Sequence, residues 1–310
     1  MFETPVLFIV FNRLDTARYV FEEIRKIKPK YLFISADGPR AGNIEDVWKC
    51  KEVREYVLNN IDWDCKVKTL FHERNLGCGK GPSQAVTWFF DNISEGIILE
   101  DDTVPNQSFF FFCRDLLEIY KDDPRIMHIG GNNYFNNSKK YTYYFSRYIH
   151  PPHGWATWKR AWSHFDFNLK DLEIFIKKNE INNILKRPNL RKLWLEYYSQ
   201  TKYGKNDVWD NQWQFSIWQQ NGYAIMPYLN LVKNVGYNEN ATHTKNPSHR
   251  SNINVTYQIN EMIHPIILNH NPKNDDYKIE YLYLNKPTLR DEISRILPSF
   301  IKKLIKLLKN

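Results

Sequence analysis

The first hundred residues alternate between short unbroken apolar runs and longer segments whose apolar residues recur every three or four positions. Val6 to Phe11 is a continuous apolar run, as expected of a strand covered on both faces, and Thr16 to Ile27 follows with Val20, Phe21, Ile24 and Ile27 at helical spacing. Tyr31-Leu32-Phe33-Ile34 repeats the strand and Val47 to Leu58 the helix. Val67 to Phe71 is a third strand, Ser83 to Asp91 lies in a third helix, and Ile97-Ile98-Leu99 is a fourth strand. Each connection is long enough for a right-handed crossover, so the pattern predicts an α/β fold with a mostly parallel central sheet and helices on both faces.

Further along, Pro105 can start a helix, and Phe109 to Tyr120 reads as an aromatic-rich buried one. Ile126 to Ile129 is a strand that ends at Gly130-Gly131-Asn132-Asn133, and Asp207 opens a helix running through Trp218, with Asn206 or Asp207 as its cap. Tyr277 to Leu284 reads as one more strand. Pro287 and Asp291 then introduce a helical segment broken at Pro298. There is no internal repeat and no long linker, which predicts one domain over 1–250 and a C-terminal appendage over 251–310. On a helix advancing ~100° per residue, Phe300, Ile301, Leu304, Ile305, Leu307 and Leu308 share one side and Lys302, Lys303, Lys306 and Lys309 the other. That pattern suits an anionic membrane surface, or a helix packed on the domain with its lysines in water.

The polar residues gain meaning from where they fall. Asn12 and Arg13 follow the first strand, Asp37 and Gly38 the second, Glu73, Arg74, Asn75 and Gly77 the third, and Glu100-Asp101-Asp102 the fourth. In a parallel sheet these carboxyl ends share one edge, where open α/β folds bind ligands. Taken singly, Arg13 is a surface ion pair, Asp37-Gly38 a turn, and Asp102 or Thr103 a cap for the helix after Pro105; their joint placement carries the reading. Three consecutive acids repel one another, and half-burying them is costly unless a cation or a web of donors neutralises them. An all-oxygen site of one or two carboxylates, waters and substrate phosphates suits Mg²⁺ or Mn²⁺. Gly77-Cys78-Gly79-Lys80-Gly81-Pro82-Ser83 fails the spacing of a Walker A loop, although glycine-rich backbone with Lys80 before a helix N-terminus favours an anion.

As a set, Val10-Phe11-Asn12-Arg13, Ser35-Ala36-Asp37-Gly38, Asn75-Leu76-Gly77 and Leu99-Glu100-Asp101-Asp102 resemble the nucleotide-diphospho-sugar transferases of GT-A fold, over residues 5 to about 245. The nearest likeness is to inverting N-acetylglucosaminyltransferases, whose metal motif is also Glu-Asp-Asp, and to bacterial sugar transferases of cell-surface polysaccharide loci. The resemblance implies that Arg13, Asp37, Lys80, Glu100 and Asp101 bind the nucleotide sugar, with Asp101 on the ribose or a phosphate, and that Asp102 holds Mn²⁺ or Mg²⁺. His153-Gly154-Trp155-Ala156-Thr157-Trp158 is similar to a run in the bacterial members; Trp155 and Trp158 would then form a sugar or acceptor platform, tryptophans otherwise being core residues. Asn240-Ala241-Thr242-His243-Thr244 resembles a loop that closes over the donor, from which His243 would reach the metal or diphosphate. Trp209-Asp210-Asn211-Gln212-Trp213 corresponds to a Trp-Asp-Asp-Trp run holding the general base, with one more residue between the tryptophans and Asn for the second acid. Asp210 is therefore the candidate base and Asp207 the fallback, although a carboxylate on a first helical turn also suits the helix dipole.

Composition narrows the rest. A 310-residue chain that is 42% hydrophobic and 15% aromatic buries a full core. Its net charge of +8 is concentrated after Ile293, where Arg295 and four lysines face no acid, which argues against nucleic acid as a partner. Cys50, Cys65, Cys78 and Cys113 show neither metal spacing nor a disulfide pattern and read as buried free thiols in a reducing compartment. With no basic N-terminal region and no long apolar run, the expectation is a cytoplasmic protein, peripheral on the inner membrane face if the tail binds lipid. A metal-dependent glycosyltransferase acting on a saccharide or lipid-linked acceptor accounts for these features. A sugar-nucleotide pyrophosphorylase would need a glycine-rich loop where Phe11-Asn12-Arg13-Leu14 stands, and a membrane-associated or lytic accessory protein leaves the acidic triplet unexplained.

Overall fold

A computed structural model describes residues 1–135, 140–149, 151–236, 255–268 and 270–284. The first units follow the predicted alternation: β1 (Val6–Val10), α1 (Leu14–Ile27), β2 (Tyr31–Ala36), α2 (Ile44–Asn59), β3 (Lys66–Phe71), α3 (Gly77–Asn92) and β4 (Glu95–Glu100). There follow β5 (Thr103–Pro105), α4 (Gln107–Ile119), β6 (Ile126–Gly130), β7 (Tyr143–Ser146) and β8 (Trp155–Trp158). Four helices come next, α5 (Lys159–Trp162), α6 (Leu172–Lys177), α7 (Ile181–Ile184) and α8 (Pro188–Lys202). The chain then forms α9 (Asp210–Gln219), β9 (Tyr223–Pro227), β10 (Val232–Asn234) and α10 (Pro272–Tyr283).

Eight strands form one sheet in the order β3-β2-β1-β4-β8-β6-β9-β7. β7 and β8 run against the other six, so the sheet is mixed and mostly parallel. β3 is an edge, and its exposed Lys66 and Lys68 guard that edge against further pairing. Residues of successive strands alternate between two cores. Val6, Phe8, Ile97, Leu99 and Ile129 pack with α1 and α4 on one face, while Leu7, Phe33, Ile98, Trp155 and Met226 pack with α3 and α9 on the other. A third cluster joins α6, α7 and α8 to Phe215 and Trp218 of α9 and to Ile279 and Leu282 of α10.

Three local expectations change. The segment expected as a strand from Tyr277 to Leu284 is helix through Tyr283, with Leu284 as its C-cap. Tyr277, Ile279, Tyr281 and Tyr283 alternate as a strand would, but the buried positions are Asp275, Asp276, Lys278, Ile279 and Leu282, which fall on one helical face. Asn271 caps the helix by accepting from Lys273 N, and Pro272 opens it. Neither Asp102 nor Thr103 caps α4; Asn106 does, accepting from Phe109 N at 3.1 Å, while Thr103 Oγ1 turns back on Glu100. Of the four free cysteines, Cys50 and Cys113 are buried and Cys65 and Cys78 only half-buried.

The described stretch after residue 250 is tied to the sheet. Tyr257 N donates to Asn230 O, Thr142 N to Ile263 O, and Asp275 of α10 accepts from Ser146 Oγ and Arg147 N at the end of β7. The basic segment 298–310 lies outside the described residues. Among the described residues no helix is long and apolar enough to cross a membrane.

Candidate active site

Strand order reverses between β1 and β4, and at such a reversal the loops leaving the two carboxyl ends part to either side and leave a crevice. Arg13 leaves β1 there and the acidic triplet leaves β4. Arg13 Nη2 bonds the carboxylate of Asp101 and, at 3.0 Å, that of Asp102, while Phe11 N donates to Asp101 at 3.3 Å. Asp101 is buried and Arg13 one-fifth exposed. The adjacent Asp101 charge, seconded by Asp102, holds the guanidinium pKa well above its ordinary value. Arg13 is thus first a neutraliser of the triplet.

Glu100 ends β4 half-buried. Burial, then the charges of Asp102 and Asp101, push its carboxyl up to about 8, and Asp210 at the start of α9 adds to the same push. Asp210 therefore shares this crevice with Glu100; its Oδ1 accepts from the N–H of Asn211 at 2.9 Å. Opposite, Val235 N donates to Asp102 O at 2.8 Å as β10 pairs with β5. A Cβ on Gly236 would stand 2.2 Å from Asp102 Oδ2, so backbone lies directly against this carboxylate.

His153, to which the sequence reading assigned no role, is held here too, its Nδ1 3.2 Å from Asn234 Nδ2. Burial lowers its pKa and the Asp102 charge partly opposes this. The available signal was the His-Gly pair itself, since Gly154 turns the chain at φ +66°.

The donor set bears on the metal question. Among the described residues no three His, Cys, Asp or Glu side chains close around one point, so a protein-only cage is absent there. Four carboxylates against one guanidinium, with Asp102 17% exposed, instead fit a hard cation held by one or two carboxylates and completed by water and phosphate oxygens. His243 lies outside the described residues.

The other predicted residues have varied surroundings. Asp37 follows β2 and accepts from Gly38 N, Leu76 N and Asn75 Nδ2 at 2.8 to 2.9 Å, which fastens the loop after β3 to the loop after β2. Burial raises its pKa, and the backbone donors of Leu76 and Gly38 oppose the rise. Lys80 is exposed on the first turn of α3. Asp207 caps a different helix from the one expected: its carboxylate accepts from Cys78 N at 2.8 Å and Gly79 N at 2.9 Å, filling the anion-favouring start of α3. α9 begins at Asp210 with Trp209 in the cap position and no side-chain cap bond.

Trp155 and Trp158 do not form an exposed platform, being 1% and 2% exposed in β8 between β4 and β6. Trp158 pairs with Glu95 at the amino end of β4, the edge remote from the crevice, and donates to Leu117 O. Trp155 lies at the crevice end but inside it, stacked between His128 and Trp209 with ring centroids 5.3 Å away on either side. It packs on Trp209, the residue before Asp210.

No protein-family model matches the chain, and no curated protein does. Solved structures similar to it include HddC from Yersinia pseudotuberculosis, at 12% identity and TM-score 0.32, over 50% of this chain and 77% of that one. A 4-diphosphocytidyl-2C-methyl-D-erythritol synthase from Anaerococcus prevotii is similar at 7% identity and TM-score 0.36, over 73% and 89%. A UDP-glucose pyrophosphorylase complexed with UDP-glucose is similar at 9% identity and TM-score 0.31, over 52% and 79%. At these scores the likeness is one of general α/β arrangement.

Proposed function

We propose that the chain is a metal-dependent glycosyltransferase that moves a sugar from a nucleoside diphosphate sugar, UDP-linked in the first instance, to a saccharide or lipid-linked acceptor of surface polysaccharide synthesis. The observation that supports it is that the charge of Asp210, far away in sequence, reaches Glu100 at the crevice where Arg13 and Asp102 are bonded together. Asp102 would hold the cation, which would supply positive charge to the diphosphate leaving group. Arg13 keeps Asp101 and Asp102 in place and limits their repulsion. Asp210, half-buried beside the Trp155–Trp209 stack, takes the proton of the attacking acceptor hydroxyl, and one base opposite the leaving group gives inversion.

The test is release and transfer from UDP-glucose, UDP-N-acetylglucosamine, UDP-galactose and GDP-mannose, with and without Mn²⁺. Cation-dependent release of nucleoside diphosphate supports the reading. Pyrophosphate-dependent formation of a nucleoside triphosphate would establish pyrophosphorylase activity instead, and absence of both would refute sugar-nucleotide chemistry.

A further inference from the structure

Trp155 sits between two strands and pairs with Ile98 of β4 on one side and Gly130 of β6 on the other. Residues paired across a ladder share a face, so Glu100, two positions beyond Ile98, and the second residue beyond Gly130 flank the outer end of Trp155. That second residue is Asn132. Its direction follows from its neighbours: a Cβ on Gly130 would meet Met226 and His128 on the Trp155 face, and one on Gly131 would meet Phe109 and Val232 on the opposite face. Alternation returns Asn132 to the Trp155 side.

The chain on both sides of Asn132 is fixed. Gly131 N donates to Gly154 O and Gly131 O accepts from Leu231 N, while Asn133 N donates to Asn230 Oδ1. The amide of Asn133 is also used, Nδ2 donating to Pro227 O and Tyr228 O and Oδ1 accepting from Phe135 N. Asn132 contrasts with it. Asn132 is 0% exposed, and neither its Nδ2 nor its Oδ1 has a partner among the described residues. Two further polar atoms of this packed cluster share that state, Trp155 Nε1 and His128 Nε2. His128 is neutral, because burial pushes its pKa down to about 3, and its Nδ1 accepts from Trp213 Nε1 at 3.2 Å, so Nε2 carries the proton. A buried amide without partners costs stability, and a well-packed apolar residue would avoid that cost.

We infer that Asn132 is a specificity-determining residue for the sugar of the donor, its amide receiving a ring hydroxyl that needs both a donor and an acceptor. Glu100 and Asn132 stand two strands apart, roughly 9–10 Å, a span on the scale of one sugar ring hydrogen-bonded on either side. Trp155, covered by His128 and Trp209, packs behind them and does not itself meet the sugar. This inference rests on the glycosyltransferase reading and adds to it the group that distinguishes a sugar nucleotide from the bare nucleotide.

The test uses full-length protein with Mn²⁺ and calorimetric titration of UDP, UDP-glucose, UDP-N-acetylglucosamine, GDP and GDP-mannose. The quantity read is the ratio of the affinity of a sugar nucleotide to that of its free diphosphate. Asn132→Leu should lower this ratio about tenfold while free diphosphate binds within about twofold of wild type, and its melting temperature should hold or rise. Asn132→Ser keeps a hydroxyl and should fall between, which also covers a Leu variant that fails to fold. An unchanged ratio, with melting temperature lowered or not, would assign the amide to structural water and overturn the inference alone. Wild-type protein that neither binds nor turns over any of these sugar nucleotides would overturn both readings.

Discussion

Asp207 and Asp210 are three residues apart, yet their surroundings predict opposite consequences for their loss. Asp210 is the first residue of α9, bonded through Oδ1 to the adjacent N–H, and shares the crevice with Glu100. If it is the general base, Asp210→Asn should lower turnover by ~10²–10⁴. The same change removes a carboxylate from a helix start, worth ~0.3–1 kcal/mol, so the melting temperature should move by a degree or two. Asp207 is exposed and accepts two amides at the start of α3. Asp207→Ala strips α3 of that cap; caps are worth ~0.5–2 kcal/mol, and exposure argues for the lower half. A loss of about 1 kcal/mol lowers the melting temperature of a chain this size by ~2 °C and leaves the rate within a few-fold. Steady-state kinetics with the best donor, together with thermal denaturation of both variants, reads the two effects side by side. If Asp210→Asn keeps its rate within tenfold while Asp207→Ala loses it at normal stability, the base has been assigned to the wrong carboxylate.

Arg13→Met leaves Asp101 and Asp102 without their cation, which costs ~2–4 kcal/mol for a pair this buried; added Mn²⁺ should raise the melting temperature of this variant more than that of wild type, and equal increments would argue against a cation at the triplet. Asp102→Asn removes a charge and keeps the shape, so calorimetric Mn²⁺ binding should weaken at least tenfold with the fold intact by circular dichroism; wild-type binding would move the metal elsewhere. His128 has a folded pKa of about 3 against about 6.5 unfolded, so the unfolded chain takes the proton first, and stability is fully present above pH 6.5 and lost as pH falls, by ~2 kcal/mol at pH 5. His128→Gln should flatten that part of the pH–stability curve, and an unchanged slope would show that His128 does not cause it. Deleting 298–310 should reduce sedimentation with anionic vesicles if that segment binds lipid, and unchanged sedimentation would favour its packing on the domain.

The parallel half of the sheet was legible because buried strands and their crossover helices each impose a period on their own residues. β1 through β4 came out within a few residues of their ends, and the carboxyl-end rule then brought Arg13 and the triplet together. β8 imposes no such period. All four of its residues are buried, and the partners that bury them, β4 and β6, lie elsewhere in the chain, so an inserted strand looked like a run of functional tryptophans. α10 shows the converse, with tyrosines in strand-like alternation on a helix whose buried residues are Asp275, Asp276, Lys278, Ile279 and Leu282.

The site was only half legible for a related reason. A carboxylate's role depends on which donors it meets, and sequence displays only the nearby ones. Asp207 stands where a cap for its own following helix would be, but its carboxylate went to α3, 129 residues away. Asp37 likewise reads as a ligand at a strand end, yet three loop donors already occupy it. Asn132 and Asn133 are the same residue type in adjacent positions, and nothing local separates the one whose amide is fully used from the one whose amide is not. The Asn133 amide is accounted for by the fold, whereas that of Asn132 is left without a partner among the described residues, as are Trp194 Nε1 and Tyr198 OH in the third core cluster; what separates Asn132 from those two is its place beyond the carboxyl end of β6, beside the crevice.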